Sequence, residues 1–175
     1  DLEIGAFCLA MRIKGETPEE MAGFLAATQH RLNPFENPSP SPAVVIASYN
    51  GSRKLPLLTP LLASLMAREG FAVLVHGSTT EGSRITSEQV FSAMGISPVQ
   101  QPSRLEAGHV VYAPTSVISP GLQILLEVRR VVGLRNPAHS LVKMLNPVQG
   151  SVLLVCSHTH PEYAVSMGQT LSLIQ

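Results

Sequence analysis

Four short apolar runs, each separated from the next by a helix-like segment, constrain the fold of this chain more than any other feature. The runs are residues 44–47, 72–75, 110–113 and 152–156, and they are rich in valine and leucine. Continuous apolar runs of this length are typical of strands that are buried on both faces of a parallel sheet. Because parallel strands need long right-handed crossovers, the pattern predicts an α/β fold in which helices flank a parallel sheet.

The segment before the first of these runs divides the chain into predicted parts. Residues 33–42 contain four prolines, which predicts a linker or hinge without a regular element. We therefore predict a helical subdomain at 1–32, a proline-rich linker at 33–42 and an α/β domain at 43–175. Helices are predicted at 2–13, 17–32, 57–68, 86–94 and 120–132, and another is expected to start at 136.

The charge balance argues against one class of protein. The 175 residues carry 12 basic and 12 acidic side chains, so the chain does not have the bulk positive charge of a protein that coats nucleic acid. The charges are unevenly distributed, since residues 1–36 carry three more acidic than basic side chains. The remaining residues therefore have a matching basic excess.

The two cysteines and the chain ends provide expectations about the environment of the protein. Cys8 and Cys156 lie in apolar runs and have no partner at metal-ligand spacing, which is typical of reduced core thiols in a cytoplasmic protein. No apolar stretch approaches the roughly 20 residues of a membrane span. The chain starts without Met inside a helix-like run, so we expect it to be a fragment of a longer protein.

The loop that follows the first predicted strand is the strongest candidate site. It reads Ser48-Tyr49-Asn50-Gly51-Ser52-Arg53-Lys54 and leads into a predicted helix. Ligands of open α/β sheets bind at this edge, and the backbone N–H groups of a helix N-terminus together with two cations favour phosphate. The alternative is an ordinary turn that uses Asn50 and Gly51 for its backbone angles. Neither of the glycine patterns that mark mononucleotide and dinucleotide sites is present in the loop.

Several segments resemble the anthranilate phosphoribosyltransferase family, also called glycosyltransferase family 3. They are residues 15–20, Val75-His76-Gly77-Ser78, Tyr112-Ala113-Pro114, residues 129–135 and Asn146-Pro147. The resemblance implies a nucleoside phosphorylase-like α/β fold and a homodimer formed through the helical subdomain. For an active member it also implies phosphoribosyl diphosphate and Mg²⁺ as ligands.

The chain departs from this family where the chemistry would occur. The Gly-Thr-Gly-Gly-Asp loop that holds the diphosphate in the family reads Ser48-Tyr49-Asn50-Gly51-Ser52 here, so three glycines have become one. The resemblance places the acidic pair that would hold Mg²⁺ after Gln175. The departures resemble a divergent branch whose members keep the fold and the dimer but bind nucleic acid instead of making phosphoribosyl anthranilate.

We therefore predict a DNA-binding protein that works through phosphate contacts, without cofactor or metal and without the biosynthetic activity. Tyr49 is expected to stack on a base, and His76 to meet the ligand at the edge of the sheet. The candidate phosphate and nucleic-acid contacts are Ser48, Tyr49, Asn50, Gly51, Ser52, Arg53, Lys54, His76, Gly77, Ser78, Arg84, Arg129, Arg130, Arg135 and Lys143.

Three alternatives accompany this prediction. One is a phosphoribosyltransferase that depends on phosphoribosyl diphosphate and Mg²⁺, and a second is a dimeric scaffold with neither activity. The third is a zinc site at His158 and His160, which is disfavoured because Glu162 is the one further candidate ligand close by in the sequence.

Overall fold

The computed structural model of the chain describes residues 2–79 and 82–174. Within these residues the helices are α1 (Leu2–Lys14), α2 (Pro18–Gln29), α3 (Thr59–Arg68), α4 (Ser87–Ala93), α5 (Thr115–Ile118), α6 (Pro120–Val132), α7 (Ala138–Leu141) and α8 (Pro161–Ser172). The strands are β1 (Phe35–Glu36), β2 (Ala43–Ala47), β3 (Val73–Gly77), β4 (Val110–Pro114), β5 (Val148–Gln149) and β6 (Val152–Val155).

The main sheet has four parallel strands in the order β4-β3-β2-β6. Its register pairs Ile46 of β2 with Val75 of β3 on one side and with Val155 of β6 on the other. All five residues of β2 and all five of β3 are buried, as expected for strands covered on both faces. The predicted α/β class, with a parallel sheet flanked by helices, is confirmed.

The proline-rich segment corrects one prediction, because residues 33–42 do contain a strand. β1 pairs in parallel with β5, and the Phe35 N–H donates to the Pro147 carbonyl over 2.8 Å. Proline has no backbone N–H to donate to a neighbouring strand, but the residues between the prolines do. Phe35 is fully buried in the core, and this burial holds the short strand in place.

Local signals for the helix ends operate as the sequence predicts. Thr17 accepts a hydrogen bond from the Glu20 N–H, and the Glu20 carboxylate accepts one from the Thr17 N–H, which completes a capping box at the start of α2. α6 follows the Ser119 N-cap and ends at Gly133, whose φ of 76° is left-handed. The helix predicted from residue 136 is the single turn α7.

The helical N-terminal part shares a core with the sheet. Met21 and Leu25 of α2 lie in one buried cluster with Tyr49, with Leu122 and Leu126 of α6, and with Leu141, Leu145 and Met167. A second and a third cluster cover the two faces of the sheet. In the described part of the chain, no helix is long and apolar enough to cross a membrane.

Candidate functional site

The order of the strands creates a switch point at the carboxyl edge of the sheet. The chain leaves β2 toward β3 and β4 on one side, whereas β6 lies on the other side of β2. The loops that follow β2 and β6 therefore diverge, and such divergence opens a crevice where ligands bind in open α/β sheets. The predicted loop at 48–54 lies at this edge.

A cleft of about 780 Å³ lies at this edge, and it is the basic cleft discussed below. Its walls come from the end of α1, the loop after β2, the segment around residue 84, α7 and the first half of α8. The charged groups that line it are four cations and two carboxylates: Arg12, Arg84, Arg135, Lys143, Glu16 and Glu162. Two imidazoles, His139 and His160, and the amide of Asn50 also line it.

Lys143 is a half-buried cation of the basic cleft, as are Arg84 and Arg135. Burial lowers the pKa of its amine from the usual value, and the positive charge of Arg135 lowers it further. Both effects act in the same direction because each disfavours the ammonium form. Burial and the neighbouring Arg135 therefore both disfavour the charged form of this lysine.

The loop after β2 is closed by the segment that precedes α4. Ser52 and Ile85 exchange two backbone hydrogen bonds of 2.7 and 3.0 Å, and the Arg84 guanidinium donates to the Asn50 carbonyl over 2.6 Å. Gly51 has a φ of 56°, and a Cβ at this position would lie 2.9 Å from the Ile85 carbonyl oxygen. The segment around residue 85 thus fills the space beside the one glycine of the loop.

Two predicted ligand contacts are buried instead of facing the cleft. The Tyr49 hydroxyl and His76 Nδ1 lie 2.8 Å apart, and the Thr115 hydroxyl is 3.0 Å from the Tyr49 oxygen. His76 is fully buried and Tyr49 is 8% exposed, so neither ring can stack on a base or meet a phosphate as we predicted. The sequence places both residues at the edge of the sheet, but it does not indicate that their side chains turn inward.

The buried network holds His76 in its neutral form. Burial lowers the pKa of His76 to about 4. The Tyr49 hydroxyl can donate to Nδ1 in the neutral tautomer that leaves this nitrogen unprotonated. Burial raises the pKa of Tyr49, which keeps that donor protonated.

Gly77 and Ser78 have structural partners inside the protein. A Cβ on Gly77 would lie 2.2 Å from the Ser48 carbonyl oxygen, so β3 can end beside the loop only with glycine there. The Ser78 hydroxyl is buried and donates to the Gln123 side chain of α6 over 2.9 Å. The Ser48 hydroxyl lies 2.6 Å from that of Ser87, which ties the loop to α4.

The structure divides the predicted cations into two groups. Arg84, Arg135 and Lys143 come together in the basic cleft, with Asn50 and Gly51. The second group does not line the cleft: Arg53 and Lys54 are exposed on the loop, and Arg129 and Arg130 lie in the last turn of α6. Arg130 donates to the Thr79 carbonyl over 3.3 Å. Ser52 belongs to neither group, because it pairs with Ile85 in an isolated antiparallel β-bridge.

Sequence reasoning missed several residues of the basic cleft. Arg12 lies at the end of α1, where a cation suits the helix dipole and needs no further role. His139 lies four residues before Lys143. In a helix this spacing places two side chains on the same face, so it could have indicated that His139 accompanies Lys143. His160 and Glu162 follow β6; the sequence raised them only as candidate zinc ligands, and the structure places both on the cleft. Among residues 2–79 and 82–174, no three His, Cys, Asp or Glu side chains are grouped to hold a metal.

Comparison with known proteins places these features in a family. Residues 1–31 match the model of the helical bundle domain of a glycosyl transferase family. The chain is 41% identical over 169 residues to the uncharacterized protein YbiB of Escherichia coli, covering 93% of this chain and 53% of that protein. It is 31% identical over 152 residues to anthranilate phosphoribosyltransferase 2 of Ralstonia nicotianae, covering 83% and 43%.

Solved structures agree with the sequence relatives. The anthranilate phosphoribosyltransferase of Thermus thermophilus superposes with a TM-score of 0.77 at 25% identity, covering 95% of this chain and 52% of that one. The enzyme of Saccharomyces cerevisiae, in complex with PRPP and Mg, gives a TM-score of 0.67 at 14% identity, which shows a shared fold. The family resemblance is confirmed, and the chain spans about half the length of these relatives.

Proposed function

Since this chain shares its fold and sequence pattern with the anthranilate phosphoribosyltransferase family, we propose that it uses the substrate edge of that fold to bind nucleic acid, DNA in particular, through phosphate contacts. The observation that carries the proposal is the basic cleft, where Arg12, Arg84, Arg135 and Lys143 converge. Phosphate contacts are local, so they do not require a positive net charge for the whole chain.

The composition of the cleft supports a polyanion as ligand. Four cations and two carboxylates line the cleft of about 780 Å³, and two asparagines and two histidines add hydrogen-bonding groups. Guanidinium groups bind phosphate oxygens in a planar fork, which makes arginine well suited to this task. Such contacts position a nucleic-acid backbone without reading its sequence.

The loop after β2 argues against a diphosphate site in this arrangement. The Ser52 N–H, which a phosphate would otherwise use, donates to the Ile85 carbonyl. A Cβ built on Gly51 would lie 2.9 Å from the Ile85 carbonyl oxygen and 3.0 Å from Arg84 Cβ, so the space beside this glycine is filled. These contacts fit a protein that kept the fold of the transferases and lost the cradle for phosphoribosyl diphosphate.

We also propose a homodimer formed through the helical subdomain. The apolar side chains of α1 support it, because Leu2 is 89%, Phe7 50% and Ile13 78% exposed. An apolar surface on one helix is typical of a protein–protein contact. Sedimentation equilibrium of the protein and of an F7E/I13E variant tests this, and a monomer for the unmodified protein would contradict it.

Charge reversal in the cleft tests nucleic-acid binding. We expect the double variant R135E/K143E to lose most of its affinity for a labelled DNA oligonucleotide, measured by fluorescence anisotropy. R68E, which changes an exposed cation at the end of α3, is the control and should retain affinity. R129E/R130E shows whether cations outside the cleft contribute. Unchanged affinity in R135E/K143E would sink the proposal.

The alternative function is a phosphoribosyltransferase that needs phosphoribosyl diphosphate and Mg²⁺. It is supported by the sequence relatives that carry this name. Calorimetric titration with phosphoribosyl diphosphate and Mg²⁺ separates the two functions. Saturable binding of this ligand, together with no binding of DNA at low salt, would favour the enzyme.

A further inference from the structure

We propose that Lys143 is an acylation site at which small acyl phosphates, such as acetyl phosphate, react after binding in the basic cleft. The proposal rests on the proposed function in one respect, namely that the cleft holds phosphate groups. It adds a covalent modification that changes the charge of the cleft.

The first step is recognition of the phosphate end of the reagent. Arg84, Arg135 and Lys143 line one cleft, and guanidinium groups hold phosphate by charge-assisted hydrogen bonds. A small acyl phosphate held by the two arginines places its carbonyl carbon in the same cleft as the lysine amine. Glu16 and Glu162 also line the cleft, and their negative charges disfavour an anion beside them.

The second step requires the Lys143 amine to be neutral. Only a neutral amine attacks a carbonyl, and burial together with Arg135 lowers the pKa of Lys143. The chain has two other lysines, and neither shares this environment. Lys14 is bound to the Glu20 carboxylate over 2.6 Å, and Lys54 is exposed on the loop after β2.

The reaction balances without any further reagent. Nζ of Lys143 attacks the acyl carbon, a C–N bond forms, and the bond from that carbon to the phosphate oxygen breaks. Inorganic phosphate leaves with the electron pair of the broken bond, and the amine loses its proton to water. The product is an amide without charge, so the cleft loses one of its four cations.

The test compares the three lysines within one molecule. The purified protein is incubated with acetyl phosphate, and the acetylated fraction of each lysine is followed over time by peptide mass spectrometry. We expect Lys143 to react several-fold faster than Lys54 and Lys14. We expect inorganic phosphate to slow Lys143 alone, because it competes for the arginines.

Two controls separate binding from simple reactivity. An acetyl ester of N-hydroxysuccinimide carries no phosphate, so the preference for Lys143 should shrink with it. The R135Q variant should lose the preference, whereas R68Q should keep it, with folding checked by circular dichroism. Equal rates at the three lysines would overturn the proposal. So would a preference for Lys143 that inorganic phosphate does not reduce and that is the same with acetyl phosphate and with the N-hydroxysuccinimide ester.

The outcomes also distinguish this inference from the proposed function. Salt-sensitive DNA binding without selective acetylation of Lys143 removes only the acylation site. Selective, phosphate-inhibited acetylation without DNA binding removes only the nucleic-acid function.

Discussion

The imidazole of His76 is held neutral inside the protein, and this makes stability depend on pH. Its pKa falls from the usual 6.5 to about 4 on burial. In the unfolded chain the group takes up a proton below pH 6.5, while in the folded protein it does so only near pH 4. Between these values the unfolded state binds more protons, so the free energy of unfolding falls as the pH falls.

We expect His76 to lower the free energy of unfolding by about 3 kcal/mol between pH 7 and pH 4. Urea unfolding at several pH values measures this, and the H76Q variant should lose that part of the pH dependence. H109Q is the control, because His109 is exposed. An H76Q variant with the pH profile of the unmodified protein would contradict a lowered pKa of His76 in the folded state.

Gly77 is a second residue with a measurable role. A Cβ there would lie 2.2 Å from the Ser48 carbonyl oxygen, which is backbone and cannot move aside alone. We expect G77A to destabilise the protein by about 1–3 kcal/mol or more. G23A in α2 is the matched control, since nothing lies within 4 Å of the added Cβ, and alanine there should be neutral or stabilising. Equal melting temperatures for G77A and G23A would contradict this account.

At the scale of the elements, α4 depends on a cap that also supports the cleft. Thr86 accepts a hydrogen bond from the Gln89 N–H, and the Gln89 side chain accepts one from the Thr86 N–H. Thr86 adjoins Ile85, which bridges to Ser52 in the loop after β2. The cap therefore fixes both the start of the helix and the segment that carries Arg84.

We expect T86A to lower the free energy of unfolding by about 1 kcal/mol, the usual cost of losing an N-cap. Chemical denaturation measures it, with S116A as the control because Ser116 is exposed and caps no helix. The same variant should bind DNA more weakly, because Arg84 is less well positioned. A T86A variant as stable as S116A would show that the capping hydrogen bonds contribute nothing.

The main elements could be predicted because their signals are local. The run at 110–113 and the helix at 120–132 are found almost unchanged as β4 and α6. β1 and β5 have two residues each, and they exist because the chain brings residues far apart in sequence together. No local pattern contains that information. α8 was not predicted, although Pro161 at its first turn is a helix signal.

The candidate site could be predicted only in part for a similar reason. Strand ends indicate which loops share an edge, and the structure brings the predicted residues Asn50, Arg84 and Lys143 together in one cleft. The direction of a side chain depends on packing, so the sequence predicts ligand contacts for Tyr49 and His76 although both are buried. Arg12 was missed because α1 reaches the cleft through tertiary packing.

At the scale of the whole molecule, the basic cleft sets the salt dependence of binding. If its four cations each neutralise one phosphate of a single strand, the logarithm of the affinity should fall with the logarithm of the salt concentration with a slope of about −3. The R135Q/K143Q variant, which removes two of the four cations, should have a slope smaller in magnitude by about 1.4. Anisotropy titrations at several salt concentrations measure both slopes, and an affinity that does not change with salt would contradict binding through phosphates.

The shared core of α2 and the sheet has a thermodynamic consequence. Leu25 packs in one cluster with Tyr49 and Leu145, so the helical part cannot melt while the α/β part keeps its packing. The chain should therefore unfold as one cooperative unit, with a single calorimetric peak. A ligand that contacts Arg12 on α1 and Arg135 beside α7 holds both parts at once, and its binding energy protects the entire unit against heat.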